Sequence, residues 1–411
     1  MKYRILTKSL QKAVKTFPAV VVTGPRQSGK TTLLKHIFSK THSYTSLEDP
    51  DTRMRAQDDP RGFLLNIRMP AIIDEIQYAP EILSYIKTLI DEKRAPGNWI
   101  LTGSQSFTLM QGASESLAGR AAILSLLPFN YVEKAGIAEA ALDINKMFNL
   151  DKKKPKTGKI PAKGVSLINT LLRGFYPEIA SKPSVDRNLW CGSYISTYIE
   201  RDIRNLTQVA DLSQFEKFFR LCAVRTGQIL NLSEIAKECG ISVPTAKRWL
   251  SLLETGCQVL LLYPYYRNIG KRLVKSPKIY FMDTALACYL LGLSEPGVLI
   301  KSPYFGHIFE TFVITDFWKR FLHFGRMPSM YYLKTRDGLE VDLVMELGQK
   351  LHLLEIKGSA TITTKHIPSL IRAKNDLAGI TASAGVISLS PSGFYLQKGI
   401  YNYNWEEALS L

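Results

Sequence analysis

Residues 24–32 read Gly-Pro-Arg-Gln-Ser-Gly-Lys-Thr-Thr, between the apolar run Ala19-Val20-Val21-Val22 and the segment Leu33-Leu34-Lys35-His36-Ile37-Phe38. The first run reads as a buried strand, and the second opens an amphipathic helix. A glycine-rich turn between the two aims successive backbone N–H groups inward. The helix adds its positive N-terminal end at the same spot. Gly24 and Gly29 let the backbone approach an anion closely, and Pro25, Arg26, Gln27, Ser28 and Thr32 complete the loop. Lys30 reaches β- and γ-phosphates and the Thr31 hydroxyl ligates magnesium, so ATP with Mg2+ is the expected ligand. A chance glycine-rich turn would have to reproduce strand, spacing, Lys-Thr pair and helix together.

The second half of such a site is an acidic strand end, and Ala71-Ile72-Ile73-Asp74-Glu75-Ile76-Gln77 supplies it. Asp74 is placed to hold the magnesium, and Glu75, one residue further out, to orient and deprotonate the attacking water. An Asp-Glu helix cap after a core strand is the plainer alternative. A further strand, Trp99-Ile100-Leu101-Thr102, ends in Gly103-Ser104-Gln105, where Ser104 and Gln105 are candidates to sense the γ-phosphate or the water. A strand-end turn explains them equally.

At this point the chain resembles the AAA-type ATPases, in particular a prokaryotic group that joins such a domain to a C-terminal half of uncharacterised function. Besides the phosphate loop, Ile73-Asp74-Glu75-Ile76-Gln77 and Leu101-Thr102-Gly103-Ser104-Gln105, the segments that carry the likeness are Ser46-Leu47-Glu48-Asp49-Pro50-Asp51 and Asp58-Asp59-Pro60-Arg61-Gly62-Phe63. Ser116-Leu117-Ala118-Gly119-Arg120, Gly174-Phe175-Tyr176-Pro177-Glu178 and Tyr198-Ile199-Glu200-Arg201-Asp202 extend it over nearly the whole chain. The resemblance implies a three-layer α/β ATPase and a homo-oligomer, with a hexameric ring as one form. In such rings an arginine from a neighbour completes the site. Arg120 and Arg201 are the matching positions, and an internal salt bridge is the alternative for each.

A chain of 411 residues exceeds what one core serves, so several domains are expected. The pattern divides into an ATPase core at 1–135, a linker and helical connection at 136–185, a helical and winged-helix domain at 186–295 and a last domain at 296–411. The apolar runs are strand-sized, Met1-Lys2-Tyr3-Arg4 opens no signal sequence, and the five cysteines lack paired spacing. These features lead to a cytoplasmic protein with no membrane span. The lysine-rich stretch from Asp151 to Lys159 reads as a solvated loop. A net charge of +17 destabilises a compact fold by self-repulsion unless a polyanion uses it, and nucleic acid is the leading candidate.

Residues 231–254 have the form of a helix-turn-helix, with the turn at Gly240, Ser242 capping the second helix and Pro244 in its first turn. Thr245, Lys247 and Arg248 are left facing outward. A wing is expected over 265–278, where Arg267, Lys271 and Arg272, interleaved with Tyr265 and Tyr266, suit non-sequence-specific contact with DNA phosphates. A lid or protein-contact role is the alternative.

Near the C-terminus, Glu340–Glu346 and Leu351–Lys357 alternate as strands around a Gly348-Gln349 turn. With that loop, Asp342 falls opposite Glu355 and Glu340 opposite Lys357. Facing carboxylates repel, which calls for a proton or a cation between them, and a divalent metal would supply it. This resembles the Asp, Glu-x-Lys core of restriction-endonuclease-like folds, with Glu310 as the matching additional acid. A solvated hairpin face is the plain reading, and a fold that docks without cutting is another. Together these features predict an ATP-binding and hydrolysing, DNA-binding machine. The alternatives are a nucleotide switch that binds a protein partner, of signalling or toxin–antitoxin type, and an ATP-dependent nuclease.

Overall fold

The computed structural model describes residues 1–104, 117–141, 166–198, 212–266 and 276–411. Two compact units emerge: Met1–Phe129 with Thr255–Cys257 and Phe321–Arg326, and a second containing Asn130–Glu254, Gln258–Arg320 and Met327–Leu411. The helical segments and the C-terminal sheet share the second.

Five parallel strands form the sheet of the first unit: β1 (Ala19–Thr23), β2 (Ser43–Ser46), β3 (Ala71–Asp74), β4 (Trp99–Thr102) and β5 (Ala121–Ser125), in the order β2-β3-β4-β1-β5. Unbroken apolar runs form β1 and most of β3 because both faces of the sheet are covered. Alternate residues divide between the faces. Val20, Val22, Ile72 and Ile100 pack with Leu6 and Leu10 of the Leu6–Thr16 helix and Leu33 and Leu34 of the Lys30–Phe38 helix. Val21, Ile73 and Leu101 pack with Leu83, Ile86 and Ile90 of the Ile82–Glu92 helix. This is the expected three-layer arrangement, and it delivers the ends of β1, β3 and β4 to one edge.

The second unit begins with short helices, then Arg187–Tyr198 and Leu212–Val224. A helix pair follows, Leu232–Cys239 and Val243–Thr255, turned at Gly240, whose φ of 71° is the left-handed conformation glycine adopts freely. Ile235, Ala236, Trp249, Leu250 and Leu253 are buried, whereas Lys247 and Arg248 are exposed. Ser242 Oγ accepts the Thr245 N–H at 3.2 Å, the expected cap. Strands β6 (Gln228–Ile229), β7 (Val259–Leu262) and β8 (Lys278–Phe281) form an antiparallel sheet in the order β6-β8-β7.

A six-stranded sheet completes the unit, in the order β13-β14-β12-β11-β10-β9. Its strands are β9 (Met330–Lys334), β10 (Glu340–Leu347), β11 (Lys350–Lys357), β12 (Thr381–Ser388), β13 (Phe394–Gln397) and β14 (Ile400–Asn404). The β10–β11 register pairs Leu347 with Lys350, and Gly348 and Gln349 turn with φ of 55° and 65°, as a two-residue hairpin with both central residues left-handed requires. Helix Pro368–Asp376 crosses from β11 to its parallel neighbour β12, burying Leu370 and Ala373 against Val341, Leu353 and Val386.

Tyr265 departs from expectation. It is buried in the core of the six-stranded sheet, its ring 5.7 Å from that of Tyr331, because Pro264 bridges to Tyr332 and draws the chain after β7 along β9. It is a packing residue, not a surface for bases. Arg201, Arg267, Lys271, Arg272, Gln105 and the 151–159 stretch lie outside the described residues. No helix among the described residues is long and apolar enough to cross a membrane.

Candidate functional site

The loop after β1 carries the backbone its sequence demands. Gly24 has a φ of 144°, Gln27 of 59° and Gly29 of 93°. A Cβ on Gly24 would drive into the Leu126 carbonyl, so only glycine fits there. Lys30 is 5% exposed, and its ammonium donates to the carbonyls of Gly24 and Pro25, each at 3.0 Å. Burial pushes the lysine pKa down, while the charges of Glu75 and Asp74 hold it up. The Ser28 hydroxyl is buried in the same loop without a hydrogen-bond partner.

Thr31 and Asp74, 43 positions apart, meet directly: Thr31 Oγ1 donates to Asp74 Oδ2 at 2.7 Å. Parallel pairing of β3 with β4, and of β4 with β1, creates this meeting by carrying the end of β3 to the start of the Lys30–Phe38 helix. The Tyr44 hydroxyl donates to the same oxygen at 2.7 Å, from a strand whose register pairs Ser46 with Asp74. Sequence reasoning missed Tyr44. Burial first, then the hydrogen bond to Asp74, raises its phenol pKa far above the ordinary value, so it remains a donor. Lys35 Nζ lies 3.8 Å from the centre of its ring.

Glu75 has a φ of 58°, left-handed backbone in a residue with a long side chain. Such a conformation costs of order 1 kcal/mol or more and persists only where the surroundings impose it. Here the imposing element is the single turn Ile76–Tyr78, which folds Gln77 back over the site. Gln77 Nε2 donates to Glu75 Oε2 and lies 3.2 Å from Ser104 Oγ, linking the ends of β3 and β4. Ser104 is 7% exposed, so the structure brings together Lys30, Thr31, Asp74, Glu75 and Ser104 and adds Tyr44 and Gln77. Gln77 was visible in the Asp-Glu-Ile-Gln sequence, but its role needs the left-handed step at Glu75.

Arg120 takes the internal alternative. Its Nε and Nη2 hold the two oxygens of Asp91 at 2.6 and 2.8 Å, a bidentate pair.

The C-terminal acids gather differently from the expected pairing. Glu340 Oε2 accepts from Lys334 of β9 at 2.8 Å, and its other oxygen lies 2.9 Å from Lys278 Nζ. The expected Glu340–Lys357 pair is replaced because a register shift between Val341 and Val344 turns Glu340 toward β9 and β8. Lys357 instead holds Glu355 at 2.6 Å and Asp342 at 3.7 Å. Glu310, on the Phe305–His323 helix, accepts from the Tyr280 hydroxyl at 2.6 Å. Burial and the Asp342 charge push Glu355 up to about 8 and Glu310 up to about 7. Among the described residues no three acids, histidines or cysteines stand so that they could hold a metal ion. The expected metal set of Asp342, Glu355 and Glu310 is thus not assembled as such, and a lysine, Lys278, lies among the acids.

Comparison with known proteins agrees with the first site. Residues 16–135 match the family model "AAA domain", and residues 165–297 and 305–406 match two models described as domains of unknown function, DUF8612 and DUF4143. The nucleotide site thus belongs to an AAA-type ATPase domain. Uncharacterized protein Rv2008c of Mycobacterium tuberculosis and Uncharacterized protein Mb2031c of Mycobacterium bovis are each 30% identical to the chain over 354 residues, 86% of this chain and 73% of theirs. The chain belongs to one family with these mycobacterial proteins. Among solved structures it is similar to the Walker-type ATPase paby2304 of Pyrococcus abyssi, at 14% identity and a TM-score of 0.42 over 70% of this chain and 94% of that one. A RuvB variant of Thermotoga maritima matches at 18% identity and a TM-score of 0.30, over 62% of this chain and 88% of its own.

Proposed function

We propose that the protein hydrolyses ATP with Mg2+ and couples the reaction to non-sequence-specific binding or remodelling of DNA through a winged-helix module, acting in the cytoplasm as a homo-oligomer, with a hexameric ring as one form. The observation that carries the nucleotide half is the Thr31–Asp74 contact at 2.7 Å. A hydroxyl and a carboxylate meet there at the mouth of a phosphate loop whose Gly24 tolerates no side chain and whose Ser28 hydroxyl is unpartnered. Those residues fit a magnesium ion, which Thr31 and Asp74 would hold and which would neutralise charge on the β- and γ-phosphates. Lys30 pairs the phosphate charge, Glu75 takes the proton of the attacking water, and Ser104 reports the state of the γ-phosphate through Gln77.

For the DNA half, the support is the helix pair turned at Gly240, which leaves Lys247 and Arg248 exposed, in a chain with a net charge of +17. Arg267, Lys271 and Arg272 would add phosphate contacts. The burial of Tyr265 favours a second reading, a nucleotide switch whose C-terminal half binds a protein, because it removes an aromatic from the surface offered to bases. ATP turnover measured with and without duplex, single-stranded and branched DNA separates the two. Stimulation by DNA supports the coupled machine, and turnover indifferent to every DNA, with no salt-dependent retention, leaves the protein partner.

A further inference from the structure

We propose that Lys278 is the resident cation of the C-terminal acid cluster, so that this hairpin is closed by an ammonium group of its own chain, takes up no divalent metal and cuts no nucleic acid. Lys278 Nζ lies 2.9 Å from Glu340 Oε1, 3.5 Å from Glu310 Oε1 and 3.7 Å from Asp342 Oδ1. Three carboxylates from two elements thus converge on one point, and that point is already positive. The residue is 4% exposed, and a buried ammonium is stable only among such partners.

A metal could not displace this lysine by a simple swing of the side chain into water. Its backbone is paired on both sides, with Ile229 of β6 and Leu262 of β7, which fixes where the side chain starts. Tyr280, two residues along and so on the same face of β8, donates to the Glu310 oxygen that Lys278 also approaches. Three of the remaining acid oxygens are engaged as well. Asp342 Oδ2 accepts the Ile356 N–H at 2.9 Å, Glu340 Oε2 accepts from Lys334 at 2.8 Å, and Glu355 Oε1 accepts from Lys357 at 2.6 Å. Glu355 Oε2 is buried without a partner, and one such oxygen does not make a divalent site. Magnesium asks for several oxygens at about 2.0–2.1 Å in near-octahedral array, closer than the spread of the acids around Nζ. The cluster is therefore an internal clasp that ties β8 to β10 and to the Phe305–His323 helix.

Mn2+ titration of the nucleotide-free full chain, followed by the electron paramagnetic resonance of the free ion, tests this. The ATP site binds metal equally in every variant compared, so only differences count. Wild type and Asp342→Asn should titrate alike, and neither should nick supercoiled plasmid with Mg2+ or Mn2+. Lys278→Ala, which leaves the acids without their cation, should gain one Mn2+ site that Lys278→Ala with Asp342→Asn lacks, and Lys278→Arg should gain none. A wild-type site or plasmid nicking that Asp342→Asn abolishes overturns the proposal, as does a folded Lys278→Ala protein with no added site. If Lys278→Ala does not fold, the wild-type against Asp342→Asn comparison decides alone.

Discussion

Glu75 lies close enough to Lys30 for its charge to act on the lysine, yet the two should fail in different ways. Lys30 offsets ground-state charge, so Lys30→Ala should abolish tight ATP binding. Glu75 acts only while the water attacks, so Glu75→Gln should keep binding and slow turnover by about 10²–10⁴-fold, the usual contribution of a general base. Rapid-quench turnover beside a fluorescent-nucleotide titration checks both, and a Glu75→Gln enzyme turning over at the wild-type rate would remove Glu75 from its role. Tyr44 predicts a milder effect, because it acts through Asp74, to which its hydroxyl donates. One hydrogen bond to a charged group is worth about 1.5–3 kcal/mol, so Tyr44→Phe should raise the Mg2+ concentration that turnover needs by about ten- to 150-fold and leave nucleotide affinity alone. A magnesium titration of both enzymes at saturating ATP checks it, and overlapping curves would leave Tyr44 a packing residue. The asymmetry between these residues also explains what could be read in advance. Lys30, Thr31, Asp74 and Glu75 announce themselves by spacing along the chain. Tyr44 lies in Ser43-Tyr44-Thr45-Ser46, an ordinary edge strand until its register sets Ser46 against Asp74.

Among the elements, local signals were legible and long-range closures were not. The apolar run of β1, the Ser242 cap, the Gly240 turn and the Gly348-Gln349 hairpin are each specified within a few residues, and each appears as the sequence demands. Lys278 could not be placed, since nothing near it in the chain says that β8 will lie across from Glu310, 32 residues on, and Asp342, further still. The bulge between Val341 and Val344 is similarly silent in the sequence and moves Glu340 off Lys357. This closure has a pH signature. Glu355 is raised from about 4.5 to about 8 in the folded chain by burial and Asp342. Above the unfolded value the folded state binds more protons there than the unfolded state does, so this group's contribution to stability falls as pH rises from near 4.5 and levels off above about 8. Glu355→Gln should remove that slope. Thermal unfolding of both proteins between pH 5 and pH 9 checks it, with pH values set to bracket the transition. Parallel curves would mean that Glu355 titrates normally.

On the scale of the whole molecule the question is what the positive charge is for. A net +17 spread evenly keeps a protein apart from its own copies and attracts any polyanion weakly, whereas charge gathered on a face that fits a duplex attracts DNA with a measurable ion count. Lys247 and Arg248 lie on the exposed side of the second helix of the pair, one turn from the capped N-terminus, where a helix set into a groove would bring them to phosphates. Each phosphate contact releases about 0.9 counterion from duplex DNA, so Lys247→Glu with Arg248→Glu should lower the slope of log affinity against log salt by about two and weaken all sequences alike. Basal ATP turnover should be unchanged, because both residues lie in the second compact unit and the nucleotide residues in the first. DNA-stimulated turnover should fall with the binding. Filter binding across a salt series, paired with turnover with and without DNA, reads both. An unchanged slope would move the DNA surface off this helix. If stimulation survived as well, the nucleotide cycle would be answering to a partner that the exposed lysine and arginine do not touch.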